Sequence, residues 1–165
     1  MVLPFVRDLF ADVEKLAAFT RVVSHLRGNT GRIRVSGPNA PTKALMVSEL
    51  QRVLDRPLIL VTRNNEASDE LLPVIQAFSE LVGGAPAEGI VSLLSRDVLP
   101  FQNLSPHPEI QEQRAIALWK IATGAASIVI APAAATVLRL RSSEYYADLA
   151  RTLRRGESFD INRLI

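Results

Sequence analysis

The chain has 165 residues, of which 48% are hydrophobic and 22% are charged, a balance that is ordinary for one globular domain or for one domain with the start of another. It contains no cysteine and only two histidines, which excludes disulfides and thiolate metal sites and argues against a metal centre built from histidine. The formal net charge of +2 is too small to indicate nucleic-acid binding by itself. No apolar run approaches the roughly 20 residues of a membrane span, and the first residues lack the features of a secretory signal, so we expect a cytoplasmic protein without a membrane partner.

Helices are predicted where apolar residues recur at three- and four-residue steps. They cover residues 8–26, 42–54, 68–82, 109–122 and 143–154, followed by a last helix that begins near Asp160 and that Ser158 caps. In the first helix the apolar stripe consists of Leu9, Val13, Leu16, Phe19 and Val23. Pro73 must lie in the first turn of its helix or kink it, whereas Pro108 suits the first position of its helix.

Short strands are predicted between these helices, at residues 32–36, 57–62, 90–94 and 127–131. The run 57–62 is continuously apolar, which is typical of a strand buried on both faces of a parallel sheet. The alternation of strands and helices predicts an α/β domain with a mainly parallel sheet. An arginine-rich change in composition after Arg139 indicates a boundary near Arg141, so that residues 1–140 form this domain and residues 141–165 begin a second one.

The junction between the first predicted strand and the following helix has the length of a nucleotide-binding phosphate loop. Such a loop reads G-x-x-x-x-G-K-[ST], and the sequence here is Gly37-Pro38-Asn39-Ala40-Pro41-Thr42-Lys43-Ala44. Gly37 and Lys43 are in register with the motif. Thr42 stands in place of the second glycine, and Ala44 stands in place of the hydroxyl that binds magnesium.

These replacements remove the groups that bind a triphosphate in an intact phosphate loop. Pro38 and Pro41 have no backbone N–H to offer, and Ala44 cannot ligate magnesium. The fourth predicted strand runs into Ala131-Pro132 without the Walker-B carboxylate that would hold the metal. We therefore expect no catalytic residue, bound cofactor or metal, and interpret the segment as a turn with a solvated Lys43. The alternative is a divergent nucleotide hydrolase that still uses Lys43.

Two further groups of residues have both a functional and a structural interpretation. A catalytic His107 would need a nucleophile and an acid, for which Ser105 and Asp97 are only loose neighbours, so His107 is better explained by the entry to a helix. The basic run that contains Arg151, Arg154 and Arg155 is a candidate contact for an acidic partner or for DNA. The structural interpretation of that run is a helix end, where basic residues are favourable.

Several stretches together resemble the N-terminal region of bacterial transcription-repair coupling factors. They comprise residues 32–37, 56–62, 99–101, 105–107, Arg114 and 146–157. The resemblance covers nearly the whole chain and depends on the order and spacing of these stretches.

The resemblance implies a fold similar to the excision-repair protein UvrB: a RecA-like three-layer domain with a degenerate phosphate loop, followed by the start of a domain that contacts UvrA. Unlike UvrB, this sequence has no intact loop, and its connector 97–107 is short, with Phe101 as its sole aromatic residue. The implied function is a non-catalytic docking or regulatory module that helps recruit UvrA to stalled RNA polymerase, or that holds the motor of the parent protein in a repressed state through contact with its other domains. Most of the surface that contacts UvrA is expected beyond residue 165. The parent protein would be a helicase-like, ATP-dependent translocase that contacts DNA and RNA polymerase, and Arg151, Arg154 and Arg155 would begin the UvrA-contacting domain.

Overall fold

Three short parallel strands form the centre of the chain. The computed structural model describes residues 5, 8, 10, 12–28, 31–96, 98, 105–149, 155, 156 and 158. The strands are β1 (Leu58–Thr62), β2 (Ile90–Ser92) and β3 (Ile128–Pro132). They are accompanied by the helices α1 (Ala17–Arg27), α2 (Ala40–Leu54), α3 (Asn65–Val82), α4 (Pro108–Ala122), α5 (Ala133–Thr136) and α6 (Ser143–Leu149).

The strand order in the sheet is β1-β3-β2, so β3 lies in the middle and pairs in parallel with both neighbours. Leu58 is in register with Ile128 in one pair, and Ile90 is in register with Ile128 in the other. Helices connect these parallel strands, as parallel pairing requires. The small open sheet with helices on both sides confirms the predicted α/β class and is consistent with a RecA-like, three-layer arrangement.

Each face of the sheet has its own apolar core. On one face, Ile128 and Ile130 pack with Ile90 against α2 and α3, where Ala44 and Ile75 are fully buried. The other face, formed by Val91, Val129 and Ala131, packs against the Ala117 and Leu118 side of α4. Tyr146 of α6 joins this second core, although it lies beyond the predicted boundary near Arg141, which stays a prediction.

The N-terminal helix is attached to α2 by hydrogen bonds from two arginines. Arg27 donates to the carbonyl of Val53 at 3.2 Å, and Arg56 donates to the carbonyl of Leu26 at 3.2 Å. Each bond satisfies a carbonyl at the end of a helix, where no intrahelical donor is available. The C-terminal ends of α1 and α2 therefore lie side by side.

Three of the sequence predictions about these elements are wrong. Residues 32–36 are exposed and lie outside the sheet, because among the described residues no strand supplies backbone partners for them. The first helix is interrupted at Leu16, which is exposed and extended, so the buried stripe of α1 is Phe19, Val22 and Val23. β1 is covered on one face only, since Ile59 is 69% exposed and Val61 is 55% exposed.

Other predictions are confirmed or can be made more specific. Pro108 occupies the start of α4, and His107 caps it by accepting a hydrogen bond from the Glu109 backbone N–H at 3.4 Å. Pro73 lies inside α3, beyond its first turn. The residues predicted to continue the helix after Leu149, and the last helix from Asp160, lie outside the described residues. In the described part of the chain, no helix combines the length and the apolar character needed to cross a bilayer.

We expect Ile75→Ala to lower the free energy of unfolding by about 2–5 kcal/mol, because the substitution leaves a cavity in a fully buried site. The matched control is Ile116→Ala, since Ile116 is exposed on α4 and its truncation should cost less than about 1 kcal/mol. Urea denaturation of both variants measures the difference. Equal losses would contradict the assignment of Ile75 to the core.

Candidate functional site

The segment that resembles a phosphate loop forms the entry to α2. Gly37 has a φ of 100°, a conformation that glycine adopts without strain. The Asn39 side chain caps the helix by accepting hydrogen bonds from the Thr42 backbone N–H at 3.0 Å and from the Thr42 hydroxyl at 2.7 Å. The Lys43 backbone N–H donates to the Asn39 carbonyl at 2.9 Å. Two amides that a phosphate would need are therefore engaged within the turn.

The side chains of Lys43 and Ala44 lie in opposite environments. Ala44 is fully buried and packs with Ile75 and Ile128 in the core beneath α2. Lys43 is exposed and makes no side-chain hydrogen bond or ion pair with any described residue. The position that carries the magnesium-binding hydroxyl in an intact loop is thus part of the hydrophobic core here, while the lysine extends into solvent.

The carboxyl edge of the sheet is where open parallel sheets usually bind ligands, and here it contains a network of neutral side chains. Asn65, at the start of α3, exchanges hydrogen bonds with the Ser95 backbone: it accepts from the Ser95 N–H at 2.8 Å and donates to the Ser95 carbonyl at 3.1 Å. The Thr62 and Ser68 hydroxyls are 2.7 Å apart. This network ties the end of β1 to the segment after β2. No spacing in the sequence signalled the Asn65–Ser95 contact, because its partners lie 30 positions apart.

The described residues contain no group of histidine, aspartate and glutamate side chains that could hold a metal ion. The strand β3 ends at Pro132 and is followed by the short helix α5, whose sequence is Ala-Ala-Ala-Thr. The described residues at the loop and the carboxyl edge therefore offer the exposed cations Lys43 and Arg63 and several neutral polar groups. Those groups suit hydrogen bonding and packing more than the coordination of a metal–phosphate pair.

A buried charged group lies on the C-terminal half of α2. The Glu49 side chain is 1% exposed and accepts hydrogen bonds from Arg52, one of them at 2.6 Å. Arg52 also donates to Glu14 of the preceding 3₁₀ turn, Asp12–Lys15. Burial disfavours the charged guanidinium, but the hydrogen bonds to Glu14 and Glu49 outweigh burial and raise the pKa of Arg52. The pairing of Glu49 and Arg52 was not predicted, although their three-residue spacing on one helix is a signal from which it could have been. Nothing in the sequence points to Glu14 as a third member.

A buried cation, Arg114, lies on α4. Arg114 is 8% exposed and donates a hydrogen bond to the Leu94 carbonyl after β2. Burial and, to a smaller extent, the positive charge of Arg96 lower the pKa of Arg114. Its role in the structure is to hold the end of β2 against α4.

The candidate partner residues at the arginine-rich end are only partly described. Arg155 is exposed in a turn with Gly156, while Arg151 and Arg154 lie outside the described residues. Among the described residues, no hydrogen bond or ion pair joins Arg155 to Lys43. We therefore treat the loop and the basic run as separate candidate sites.

A comparison with known proteins adds one similarity. Over 106 residues the chain is 28% identical to a transcription-repair-coupling factor of Myxococcus xanthus, a match that covers 64% of this chain and 9% of that protein. The chain thus corresponds to a small part of its relative. No protein-family model and no solved structure matches the chain. The similarity supports a relation between this chain and transcription-repair coupling factors.

We expect Arg52→Met to lower the free energy of unfolding by about 2–3 kcal/mol, because the buried Glu49 carboxylate loses its cation. Adding Glu49→Met should recover most of this loss, since no unpaired charge then remains buried; Glu14, the other partner of Arg52, is exposed to solvent. Arg21→Met is the control: Arg21 is exposed, and among the described residues its guanidinium donates only to the Ala17 carbonyl of its own helix. Denaturation monitored by circular dichroism measures all variants, and equal losses in the single and double variants would contradict the pairing.

Proposed function

We propose that this chain is a non-catalytic docking and regulatory module of a transcription-repair coupling factor. In this role it helps recruit UvrA to stalled RNA polymerase during transcription-coupled nucleotide excision repair. The observation that carries the proposal is the similarity to the Myxococcus xanthus coupling factor. In this proposal, other parts of a longer protein carry out the ATP-driven translocation along DNA and the contact with RNA polymerase.

The geometry at the start of α2 supports the non-catalytic part of the proposal. A working phosphate loop needs free amides aimed at the phosphates and an oxygen ligand for magnesium. Here Asn39 already accepts from the Thr42 N–H and from the Thr42 hydroxyl, and Ala44 is buried. Lys43 alone would give one electrostatic contact to a triphosphate, which is too little for tight binding in water.

Isothermal titration calorimetry with Mg-ATP tests this part of the proposal. We expect no binding with a Kd tighter than about 1 mM, and no difference between the natural chain and Lys43→Ala. A tighter Kd that Lys43→Ala abolishes would instead establish the divergent nucleotide hydrolase.

Binding to purified UvrA tests the docking part of the proposal. We expect saturable binding of the immobilised chain, weakened at least about tenfold when Arg151, Arg154 and Arg155 are all replaced by glutamate, because charge reversal opposes an acidic partner. The control variant is Arg21→Glu, which changes an exposed arginine on α1 and should leave binding unchanged. Absence of UvrA binding would overturn the assigned partner.

The same triple variant separates docking from DNA binding. A DNA-binding module acting through these arginines would bind duplex DNA with an affinity that falls steeply as salt increases. We expect no such dependence for this chain. Duplex binding that is steep in salt and lost in the triple variant would favour the DNA-binding alternative.

A further inference from the structure

Arg114 is a buried cation whose hydrogen-bond acceptor is a neutral group. The residue is 8% exposed, and it donates to the backbone carbonyl of Leu94. The ion pairs among the described residues are formed by Lys15 and Arg52, so no described carboxylate neutralises Arg114. Because buried charges in proteins are normally paired, this guanidinium is a charge that the described fold leaves without a counter-ion.

Solvent still reaches part of the Arg114 guanidinium. An arginine side chain has several N–H donors, and among the described residues only Nη1 of Arg114 has an acceptor. The fully buried side-chain nitrogens and oxygens without a partner in this part of the chain belong to His25 and Ser92. The remaining nitrogens of Arg114 are therefore not sealed inside the protein, and an anion could reach them through a narrow opening.

The backbone holds a second arginine next to this opening. Arg96 is exposed and lies two residues after Leu94. Between them, the Ser95 N–H donates to the Asn65 side chain at 2.8 Å, and the Ser95 carbonyl accepts from it at 3.1 Å. The segment that carries Arg96 is thus fixed on both sides. Burial and then the positive charge of Arg96 lower the pKa of Arg114, so the two guanidinium groups are close enough to repel each other.

Tyr146 brings a hydroxyl group to the same region. Its ring packs on the core beneath α4, and its oxygen partly offsets the lowering of the pKa of Arg114. The hydroxyl accepts the Arg141 backbone N–H at 3.3 Å, which leaves its own proton available for donation. The carboxylate of Glu144, on the same helix, accepts from the Ser143 hydroxyl at 3.2 Å instead.

We propose that Arg96, Arg114 and Tyr146 form a binding site for a terminal phosphate group, which we call the phosphate pocket. In this pocket Arg114 holds the phosphate from within, Arg96 balances its second charge at the rim, and the Tyr146 hydroxyl donates to it. A phosphate monoester carries about two negative charges at neutral pH and so matches two guanidinium groups better than a carboxylate does. The pocket lies beyond the carboxyl end of β2, the side on which open parallel sheets usually bind ligands.

The phosphate pocket is independent of the degenerate loop at Lys43, and the inference does not rest on the proposed docking function. Duplex DNA is a poorer fit than a terminal phosphate, because each backbone phosphate carries one charge and Arg114 is too deeply buried to meet the surface of a duplex. Mg-ATP is also a poorer fit, since the magnesium ion neutralises the terminal phosphates. The pocket is therefore compatible with the absence of tight Mg-ATP binding.

An NMR titration of the isotope-labelled full chain with inorganic phosphate tests the proposal. We expect the Arg114 Nε–H and the Arg96 backbone N–H signals to shift together and to saturate with a Kd of about 1–10 mM at low ionic strength. Arg114→Lys keeps the charge but loses the planar fork and should weaken binding at least about tenfold. Arg96→Gln changes an exposed residue and should weaken binding about three- to tenfold. The backbone signal of residue 96 reports on both variants.

Two control variants locate the phosphate. Lys43→Ala at the degenerate loop and Arg63→Gln after β1 each remove an exposed cation, and we expect neither to change the Kd. Loss of binding in Lys43→Ala would place the phosphate at the loop and overturn the proposal. An unchanged Kd in Arg96→Gln would overturn it as well, and this variant decides the matter even if Arg114→Lys does not fold.

The neighbouring carboxylate of Asp97 is tested as an alternative counter-ion. We expect Asp97→Asn to leave the Arg114 Nε–H signal unchanged in the absence of phosphate. A change as large as the one that phosphate causes would show that Asp97 neutralises Arg114, and would overturn the proposal.

Competing anions test the chemistry of the ligand. Acetate at matched ionic strength should bind at least about tenfold more weakly than phosphate; equal binding would mean an adventitious ion only and would overturn the proposal, as would displacement of phosphate by duplex DNA. Adenosine monophosphate distinguishes the sources of the phosphate group. Tighter binding than that of inorganic phosphate supports a nucleotide as the ligand, and weaker binding supports the free ion.

Discussion

Burial of β3 on both of its faces is the constraint on which the remaining structure depends. Ile128 and Ile130 belong to the core beneath α2 and α3, while Val129 and Ala131 belong to the core beneath α4. The alternation of side chains along a strand makes this division unavoidable. Because both helix layers pack on the same five-residue strand, a change in its register would exchange the two cores and expose both.

The sequence was informative where structure is decided locally. Continuous apolar runs located β1, β2 and β3, and turn chemistry located the start of α4, where His107 and Pro108 act as expected from their positions. The same reasoning failed where the outcome depends on distant residues. Residues 32–36 have the alternation of a strand, but a strand forms only when a neighbour pairs with it. The exposure of Ile59 likewise depends on where α4 packs, which the pattern of β1 does not contain.

At the candidate site, too, the sequence predicted the features that are decided locally and missed those that depend on tertiary packing. The spacing of the phosphate-loop motif was enough to identify Gly37 and Lys43. It also showed that Thr42 replaces the second glycine of the motif. The sequence did not reveal that Asn39 caps the Thr42 amide, or that the Ala44 methyl group lies in the core. Both facts depend on how α2 is set against the sheet. Binding groups are therefore predictable as a list of residues, while their availability to a ligand is decided by tertiary packing.

The paired arginine contacts between α1 and α2 have a mechanical consequence. Arg56 precedes β1 by two residues, and its guanidinium is bonded to the last turn of α1 through the Leu26 carbonyl. If α1 separates from α2, the hydrogen bond from Arg56 to the Leu26 carbonyl must also break. The residues that lead into β1 then lose one restraint. The end of α1 is therefore linked to the residues that lead into β1 through one exposed hydrogen bond, while the first amide of β1 is held separately by the Ser127 carbonyl.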